Sequence, residues 1–317
     1  MLKVLVTGAK GFIGSHLVNH LKHVGCWVRS VDIKKESFLQ TSEDEFYQLD
    51  LRRYENCRKA VDGVDRVFHL AANMGGIGFI TKVGADVMHD NVLMNANMAE
   101  ACMQNGVDRL LFSSSACAYP TFRQTNPHVK PLREEDVWPA DPDNFYGVEK
   151  LFTEKILEAY NRDHDLHVRV SRQHNIYGPH GTYDGGREKA PAALCRKVAL
   201  AKDGESITVW GDGSQTRSFL YIEDAVEALM LLMDSNFSKP LNVGSDVLVT
   251  VDELAHMIID ISGKTLRIQH DLTKPAGVAG RNADLRRIKD VLGWQPKVTL
   301  KEGLTCTYEW INAMVKH

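Results

Sequence analysis

Short apolar runs alternate with longer amphipathic stretches along the first half of the chain. The run LKVLVTG predicts a strand, FIGSHLVNHLKHVG has apolar residues at helical spacing before a glycine, and WVRSVDI predicts the next strand. The alternation continues through DRVFHLAA, a helix near Asp86–Asn105, RLLFSSS, a helix over Tyr146–Arg162 and the strand HVRVSRQHNIYG. Strands that alternate with helices of this length predict an α/β fold with a doubly wound parallel sheet. Such a sheet binds its ligand beyond the carboxyl ends of its strands.

The pattern changes after Tyr177. The segment GPHGTYDGGREKAP is rich in glycine and charge, and it predicts a loop over the pocket. The elements predicted after it are a helix over Ala192–Lys202, strands at SITVWG and SFLYIED, a helix that ends at Met233, and helices over Val251–Ile261 and Leu300–Met314. Because no flexible linker separates them, we expect a smaller C-terminal lobe that is interleaved with the sheet domain. The predicted sheet domain is 1–177 plus about 206–245, and the predicted smaller lobe is about 178–205 plus 246–317.

Composition excludes several classes of partner. The 317 residues carry a net charge of −3 with mixed signs, which gives no basic stripe for nucleic acid and no polybasic anchor for a membrane. No stretch approaches the roughly 18 apolar residues of a spanning helix. The predicted strand that begins at Leu2 leaves no room for a signal peptide. Six cysteines without C-x-x-C spacing predict free thiols in the cytoplasm and no metal site.

A glycine-rich loop joins the first predicted strand to the first helix. In TGAKGFIG, Gly8 allows a tight turn, Gly11 lets the backbone approach a pyrophosphate, and Gly14 lets helix and strand pack closely. The helix N-terminus would then face the phosphates. Asp32 ends the second strand 18 residues after Gly14, where its carboxylate would accept hydrogen bonds from ribose hydroxyls. That carboxylate would repel a 2′-phosphate, so the sequence predicts NAD instead of NADP.

The spacing G-x-x-G-x-x-G resembles the short-chain dehydrogenase/reductase superfamily, which has a Rossmann-type sheet. The resemblance implies that residues of the loop and of the following strand ends line the cofactor. These residues are Phe12, Ile13, Asp50, Leu51, Leu70, Ala71 and Ala72.

Tyr146 and Lys150 form a candidate redox pair. They lie four residues apart in YGVEK, so on a helix they share a face. A phenol has an ordinary pKa of about 10, and a neighbouring ammonium favours the phenolate. Such a tyrosine could take a hydroxyl proton while hydride leaves the same carbon for nicotinamide, and Ser115 could hydrogen-bond the reacting oxygen. The alternative is that a Y-x-x-x-K spacing arises by chance in a helix.

Cys117 and Lys189 form a candidate acid–base pair. In the extended branch of this superfamily, which acts on nucleotide sugars, dehydratases resemble T-D-E where this chain has Ser115, Ala116 and Cys117. A thiol with a pKa of about 8.5 could act as base towards a carbon acid beside a ketone. Lys189 could donate a proton on the opposite face. The alternative for Cys117 is a small buried apolar residue.

A longer set of segments resembles the GDP-mannose 3,5-epimerases over nearly the whole chain. The segments are AANMGGIGFI, SSSACAYP, YGVEK, QHNIYGPHGTYDGGREKAPAALCRK, WGDGSQTRSF and AGRNAD. The resemblance implies conversion of GDP-mannose to GDP-L-galactose through a 4-keto intermediate, with GDP-L-gulose as a candidate second product. It implies that Cys117 and Lys189 act in epimerisation, while Ser115, Tyr146 and Lys150 act in the redox steps. The substrate-binding residues that it implies are Gly75, Gly76, Ser115, Asn175, Lys189, Lys197, Arg217 and Arg281. The sequence departs at Asn73 and Ile77, where the resemblance implies aspartate and methionine.

Two other functions stay open at this point. One is a different NAD-dependent nucleotide-sugar enzyme, such as a UDP-sugar 4-epimerase or decarboxylase. The other is a catalytically silent NAD-binding member of the family. We also expect a homodimer, because the outward faces of the helices near Asp86–Asn105 and Asn144–Arg162 carry apolar residues that could pair as a four-helix bundle.

Overall fold

The computed structural model describes residues 1–316 as alternating strands and helices. The strands are β1 (Lys3–Thr7), β2 (Trp27–Asp32), β3 (Glu45–Gln48), β4 (Arg66–His69), β5 (Arg109–Ser115), β6 (His167–Gln173), β7 (Ile176–Tyr177), β8 (Ser206–Trp210), β9 (Thr216–Ser218), β10 (Leu220–Tyr221), β11 (Pro240–Val243), β12 (Leu248–Thr250), β13 (Arg267–Asp271) and β14 (Gly280–Arg281). The helices are α1 (Phe12–His23), α2 (Tyr54–Val61), α3 (Ile77–Ile80), α4 (Gly84–Gln104), α5 (Phe145–Asp163), α6 (Ala190–Leu200), α7 (Ile222–Asp234), α8 (Val251–Ser262), α9 (Arg286–Leu292) and α10 (Leu300–Met314). Short 3-10 helices lie at Ala116–Ala118, Thr121–Arg123 and Glu134–Val137.

The main sheet has seven strands in the order β11-β6-β5-β4-β1-β2-β3. Every neighbouring pair in it is parallel. The strand order reverses between β1 and β4, because β2 and β3 continue to one side of β1 while β4, β5 and β6 continue to the other. The prediction of a Rossmann-type, doubly wound parallel sheet is therefore confirmed, and its crevice lies where the glycine loop leaves β1.

Two apolar cores cover the two faces of this sheet. Val4 and Val6 belong to one core, whereas Leu5 between them belongs to the other. Successive side chains of a strand point to opposite faces, so a strand buried on both faces is apolar throughout. Helices α1 and α7 pack together, and α4 packs against both α2 and α5.

The smaller sheets lie mainly in the C-terminal half. Strand β8 pairs with β13, and β9 pairs with β12 and β14, whereas β11 joins the main sheet. The predicted domain division stays a prediction, but these pairings do not favour placing β8 and β9 in the sheet domain. Along residues 1–316, no helix is both long and apolar enough to cross a membrane.

Local chemistry explains three shifts from the predicted elements. Helix α6 begins at Ala190, two residues before the predicted start, because Pro191 suits the first turn of a helix. The predicted strand SFLYIED ends at Tyr221, because α7 begins at Ile222 and the acidic Glu223 and Asp224 suit the first turn of a helix. The predicted strand HVRVSRQHNIYG is broken after Gln173, since Asn175 has a left-handed φ of 43°.

The cores predict a clear contrast between two leucine substitutions. Leu111→Ala removes a side chain that is 0% exposed in the sheet, and it should lower the free energy of unfolding by about 2–5 kcal/mol. Leu272→Ala acts on a side chain that is 74% exposed and should change that free energy by less than about 0.5 kcal/mol. Urea unfolding of both variants measures the contrast, and equal midpoints would contradict this placement of the core.

Candidate active site

A cleft of about 640 Å³ opens at the carboxyl ends of the main-sheet strands. All of the predicted cofactor residues line it. They are Gly8, Gly11, Phe12, Ile13, Gly14, Asp32, Asp50, Leu51, Leu70, Ala71, Ala72, Tyr146 and Lys150. Ser115 and Lys189 line the same cleft. The topology therefore brings the predicted dinucleotide loop, redox residues and one of the two epimerisation residues to one place.

In the glycine loop, backbone segments pass very close to one another. Gly8 has a left-handed φ of 65°, and a Cβ there would lie 2.9 Å from the backbone of Ala71. A Cβ on Gly14 would lie 2.2 Å from the carbonyl oxygen of Gly8. Both positions therefore need glycine, and the amides at the start of α1 are left facing the cleft, as a pyrophosphate site requires.

Asp32 is fixed at the end of β2 by two backbone amides. Lys10 N–H donates to its Oδ2 at 2.9 Å, and Lys34 N–H donates to its Oδ1 at 3.0 Å. Each carboxylate oxygen keeps further acceptor capacity toward the cleft, so Asp32 fits a ribose diol. The chain thus has the phosphate cradle and the ribose acceptor that NAD needs.

Ser115, Tyr146 and Lys150 converge inside the cleft. The Lys150 Nζ atom lies 5.3 Å from the ring centroid of Tyr146 and 4.6 Å from that of Phe112. Burial raises the pKa of Tyr146 well above its ordinary value, Glu149 and Cys117 act in the same direction, and the Ser115 hydroxyl opposes the rise as a hydrogen-bond partner. Our expectation that Lys150 would lower this pKa is therefore not met in the protein alone, because burial outweighs other influences.

Cys117 lies two residues after Ser115 in the sequence. It lies in the 3-10 turn after β5, where its N–H donates to Ser115 Oγ at 3.1 Å. The guanidinium of Arg281 donates from Nη1 to Cys117 Sγ at 3.3 Å. This contact with a guanidinium favours a polar role for Cys117 over that of a small buried apolar residue.

Lys189 lies at the start of α6, where the loop over the cleft ends. Lys189 is an exposed residue that lines the cleft, but the protein around its ammonium group desolvates that group. Burial lowers the pKa of Lys189, and the nearby Cys117 acts in the opposite direction. A lysine in such a site gives up its proton more readily than one in water.

The Gly75–Gly76 turn holds the segment that carries Lys189. Gly76 N–H donates to the Arg187 carbonyl at 3.0 Å, and a Cβ on Gly76 would lie 2.3 Å from the Glu188 carbonyl oxygen. We expected this turn to lie against the hexose, but neither glycine lines the cleft. Packing of the neighbouring loop already accounts for the glycine at 76.

The remaining substrate residues lie outside the residues that line the cleft. Arg217 and Arg281 face each other in register on β9 and β14. Burial, then Arg281, lowers the pKa of Arg217 to about 10. Lys197 Nζ donates to the Thr208 carbonyl at 2.6 Å, and Asn175 Nδ2 donates to the Ser218 carbonyl at 2.9 Å. The arginine pair is thus arranged for an anion, whereas Lys197 and Asn175 are engaged with backbone.

Sequence reasoning missed two groups of residues near the cleft. Arg187 stacks on Phe79, with its guanidinium carbon 3.7 Å from the ring centroid, and donates to Asn73 Oδ1 at 3.3 Å. Glu149 is buried beside Lys150. The sequence places Glu149 within YGVEK, next to Lys150, but nothing in that motif indicates that the side chain is buried. Among residues 1–316, no group of three or more His, Cys, Asp or Glu side chains could hold a metal ion.

Comparisons with known proteins agree with this geometry. The family described as "NAD dependent epimerase/dehydratase family" matches residues 4–244. GDP-mannose 3,5-epimerase of Arabidopsis thaliana is 47% identical over 317 residues, which cover 99% of this chain and 83% of that protein. GDP-L-fucose synthase of Escherichia coli is 30% identical, with 97% of this chain and 96% of that protein covered. The structure of UDP-glucose 4-epimerase from Thermus thermophilus in complex with NAD is similar with a TM-score of 0.83 at 26% identity, over 98% of this chain and 99% of that one.

The backbone crossing at the glycine loop predicts the effect of one methyl group. Gly14→Ala should weaken NAD binding at least about 10-fold, because the new Cβ must displace the Gly8 carbonyl and with it the phosphate cradle. Gly181→Ala is the matched control in the same cleft, since its Cβ would make ordinary contacts, with the Phe12 ring at 3.4 Å and the Gly178 carbonyl oxygen at 3.7 Å. Calorimetric titration with NAD measures both variants. Equal affinity of Gly14→Ala and the unchanged chain would contradict this account of the loop.

Proposed function

The chain belongs to the NAD-dependent epimerase/dehydratase family, and from that premise we propose that it is an isomerase that converts GDP-mannose to GDP-L-galactose by 3,5-epimerisation. GDP-L-gulose is a candidate second product, from inversion at the fifth carbon alone. The observation that carries this proposal is the position of Cys117, which shares one cluster with the redox residue Ser115 and with the cation of Arg281.

The redox step uses Ser115, Tyr146 and Lys150. Tyr146 takes the proton of the hydroxyl on the fourth carbon of the hexose, and Ser115 hydrogen-bonds that oxygen. NAD, when bound in the cleft that Tyr146 and Lys150 line, would supply the hydride acceptor. Oxidation leaves a ketone at the fourth carbon. At the end of the turnover Tyr146 returns the proton, and the reduced cofactor would return the hydride.

The epimerisation step uses Cys117 and Lys189. A ketone at the fourth carbon makes the hydrogens on the third and fifth carbons acidic, because each carbon adjoins the carbonyl. Cys117 removes such a proton on one face of the ring, with its sulfur in contact with Arg281 Nη1. Lys189 returns a proton on the opposite face, and the lowering of its pKa by burial favours this donation.

The pair of Arg217 and Arg281 supports a diphosphate-linked substrate. Two guanidinium groups lie on directly paired residues of β9 and β14, and Arg281 is only 7% exposed. Within residues 1–316, Arg281 Nη2 has no hydrogen-bond acceptor, although an Asp143 oxygen lies 3.7 Å away. Buried like charges are costly unless an anion joins them, and a diphosphate matches guanidinium geometry. The guanine base itself rests on the similarity to the plant enzyme.

The alternative of a UDP-sugar 4-epimerase is not favoured. Inversion at the fourth carbon needs only removal and return of hydride, so it has no use for a thiol and a lysine beside the sugar. A silent NAD-binding protein would likewise have no chemical need for Ser115, Tyr146, Lys150, Cys117 and Lys189 together.

We further propose that the chain acts as a cytoplasmic homodimer, without nucleic acid or membrane as partner. Helices α4 and α5 pack together and expose apolar side chains on their outer faces. These are Leu93, Phe145, Val148 and Phe152. The six free cysteines support a reducing compartment. Location and assembly both stay predictions.

Turnover in deuterated water tests the proposed chemistry. The purified chain should convert GDP-mannose to the 3,5-inverted sugar, with deuterium at the third and fifth carbons and no accumulation of NADH. Cys117→Ala should lower inversion by about 100- to 10,000-fold while leaving oxidation of the sugar by bound NAD intact. Tyr146→Phe should block both steps, because no ketone forms. Mass spectrometry and NMR of the sugar, with absorbance of bound NADH, separate the two outcomes.

Cys306→Ala is the matched control, because it removes an exposed thiol far from this group in the chain and should leave turnover unchanged. A Cys117→Ala variant that inverts the sugar within a few-fold of the normal rate would return Cys117 to a packing role. Net formation of NADH equal to product would indicate a dehydrogenase instead.

The dimer predicts the effect of one surface charge. Phe152→Glu places a carboxylate on the outer face of α5, where the side chain is 50% exposed, and should shift the solution mass from two chains to one. Leu272→Glu, at a side chain that is 74% exposed elsewhere, should leave the mass unchanged. Light scattering at micromolar concentration measures both. A monomeric, fully active unchanged chain would overturn the proposed dimer.

A further inference from the structure

A carboxylate lies buried beside the candidate redox lysine. Glu149 is 0% exposed, and its Oε1 lies 3.7 Å from Lys150 Nζ. Asn91 Nδ2 donates to Oε1 at 2.8 Å, and Asn95 Nδ2 donates to Oε2 at 3.2 Å. No part of the proposed chemistry described so far uses Glu149, yet a buried carboxylate needs a reason to be retained.

Burial raises the pKa of Glu149, whereas the charge of Lys150 and the hydrogen bond from Asn91 favour its anionic form. Asn91 Oδ1 accepts the N–H of Asn73 at 2.6 Å, so its amide nitrogen must face Glu149. The Thr153 hydroxyl can also donate to Glu149 Oε2, which lies 3.5 Å from Thr153 Oγ1. The amide nitrogens of Asn91 and Asn95 can only donate to the two oxygens, whereas the Thr153 hydroxyl can donate or accept.

A series of hydrogen bonds that begins at Thr7, beside the glycine loop, fixes the orientation of Asn95. Burial first, then the charge of Lys150, lowers the pKa of His69 to about 4, so its ring is neutral and has one N–H. The Thr7 hydroxyl accepts the Leu70 and Ala71 amides and donates to His69 Nδ1 at 2.8 Å. His69 Nε2–H then donates to Asn95 Oδ1 at 2.9 Å.

Because the Oδ1 atom of Asn95 accepts from His69, only the amide nitrogen of Asn95 can face Glu149. The carboxylate is thereby tied through consecutive hydrogen bonds to the backbone that lines the cofactor cleft.

Lys150 depends on this anion. Its side chain is fully buried, and burial lowers its pKa, while the adjacent Glu149 opposes that effect. A buried ammonium without an anionic neighbour tends to lose its proton. Glu149 is also the nearest carboxylate to Lys150 among the described ion pairs.

We propose that Glu149 is a positioning residue, whose anion, held by Asn91 and Asn95, fixes the ammonium group of Lys150 beside Tyr146. The proposal rests on the redox role proposed above for Tyr146 and Lys150. It assigns to the fourth residue of YGVEK a function that depends on its charge as well as its shape.

The charge should be visible in the pH dependence. The other titratable groups that act on Lys150 or Tyr146 are Glu154 on the same helix, Cys117 on the turn after β5, and His69 on β4. Glu149 raises the pKa of Tyr146 and opposes the lowering of the pKa of Lys150. Loss of its negative charge should therefore lower the pKa values of both Tyr146 and Lys150. In the pH profile of sugar oxidation, the acidic limb and the alkaline limb should then both move to lower pH.

Three variants of the NAD-loaded enzyme test this assignment. Glu149→Gln should lower the rate of sugar oxidation by about 10- to 100-fold at the normal optimum, as misplacement of a catalytic group does, and should move both limbs to lower pH. Glu149→Asp retains the negative charge on a shorter side chain. The rate of sugar oxidation should therefore fall by about 3- to 10-fold, while both limbs of its pH profile stay at the same pH. Thr153→Val removes a neighbouring hydroxyl without changing charge and should leave the limbs unmoved.

Binding of NAD without substrate gives an independent readout. In calorimetric titrations from pH 6 to 10, the weakening of NAD binding at high pH should begin at lower pH in Glu149→Gln than in Thr153→Val. A uniform loss of rate in Glu149→Gln, with unmoved limbs and unmoved NAD binding, would overturn the proposal and leave a packing role. If the Gln variant does not fold, normal rates in Glu149→Asp would overturn it instead. An unchanged chain that cannot turn over GDP-mannose contradicts the proposed function, while the NAD titration still tests Glu149.

Discussion

The reversal of strand order between β1 and β4 is the constraint on which the site depends. The two neighbouring strands send their chains in opposite directions at their carboxyl ends, and the backbone crosses closely there, as the Cβ contacts of Gly8 and Gly14 show. A hydrogen bond of 2.8 Å between Thr7 and His69 joins the ends of the two strands across the reversal. The glycine loop, Asp32 and the candidate redox residues all line the cleft at this junction.

A second junction brings the C-terminal part of the chain to the cluster. Strand β14 pairs with β9, which aligns Arg281 with Arg217, and the Arg281 side chain reaches the sulfur of Cys117. The same guanidinium thus contacts the candidate base with one nitrogen and keeps another for an anion. Under the proposed function, a diphosphate at Arg281 and the sulfur of Cys117 would share one guanidinium, so the negative charge of the diphosphate would alter the field at the sulfur.

Local sequence was sufficient for the features that depend on neighbours along the chain. The alternation of apolar runs predicted the main sheet, and the spacing of Gly8, Gly11 and Gly14 predicted the loop. Contacts between distant segments could not be predicted, because nothing in the local pattern of His69 or Asn95 indicates that they meet. The raised pKa of Tyr146 belongs to this class, since burial by the whole fold causes it. The backbone contacts that occupy Lys197 and Asn175 belong to it as well.

The two departures from the family pattern can be judged from the contacts at Asn73. Its Nδ2 donates to Asp90 Oδ2 at 3.0 Å, while its Oδ1 accepts from Arg187 at 3.3 Å. An aspartate at this position could accept from Arg187, but its second oxygen would face the carboxylate of Asp90, and two like charges in contact repel each other. Asparagine resolves this conflict because one side chain offers both a donor and an acceptor. The departure at position 73 therefore fits its surroundings, and it links the cleft wall to the segment that carries Lys189. The second departure, Ile77, lies 4.0 Å from where a Cβ on Gly277 would be, next to the Ala276 carbonyl that accepts from Arg217, so it packs beside one of the candidate substrate arginines.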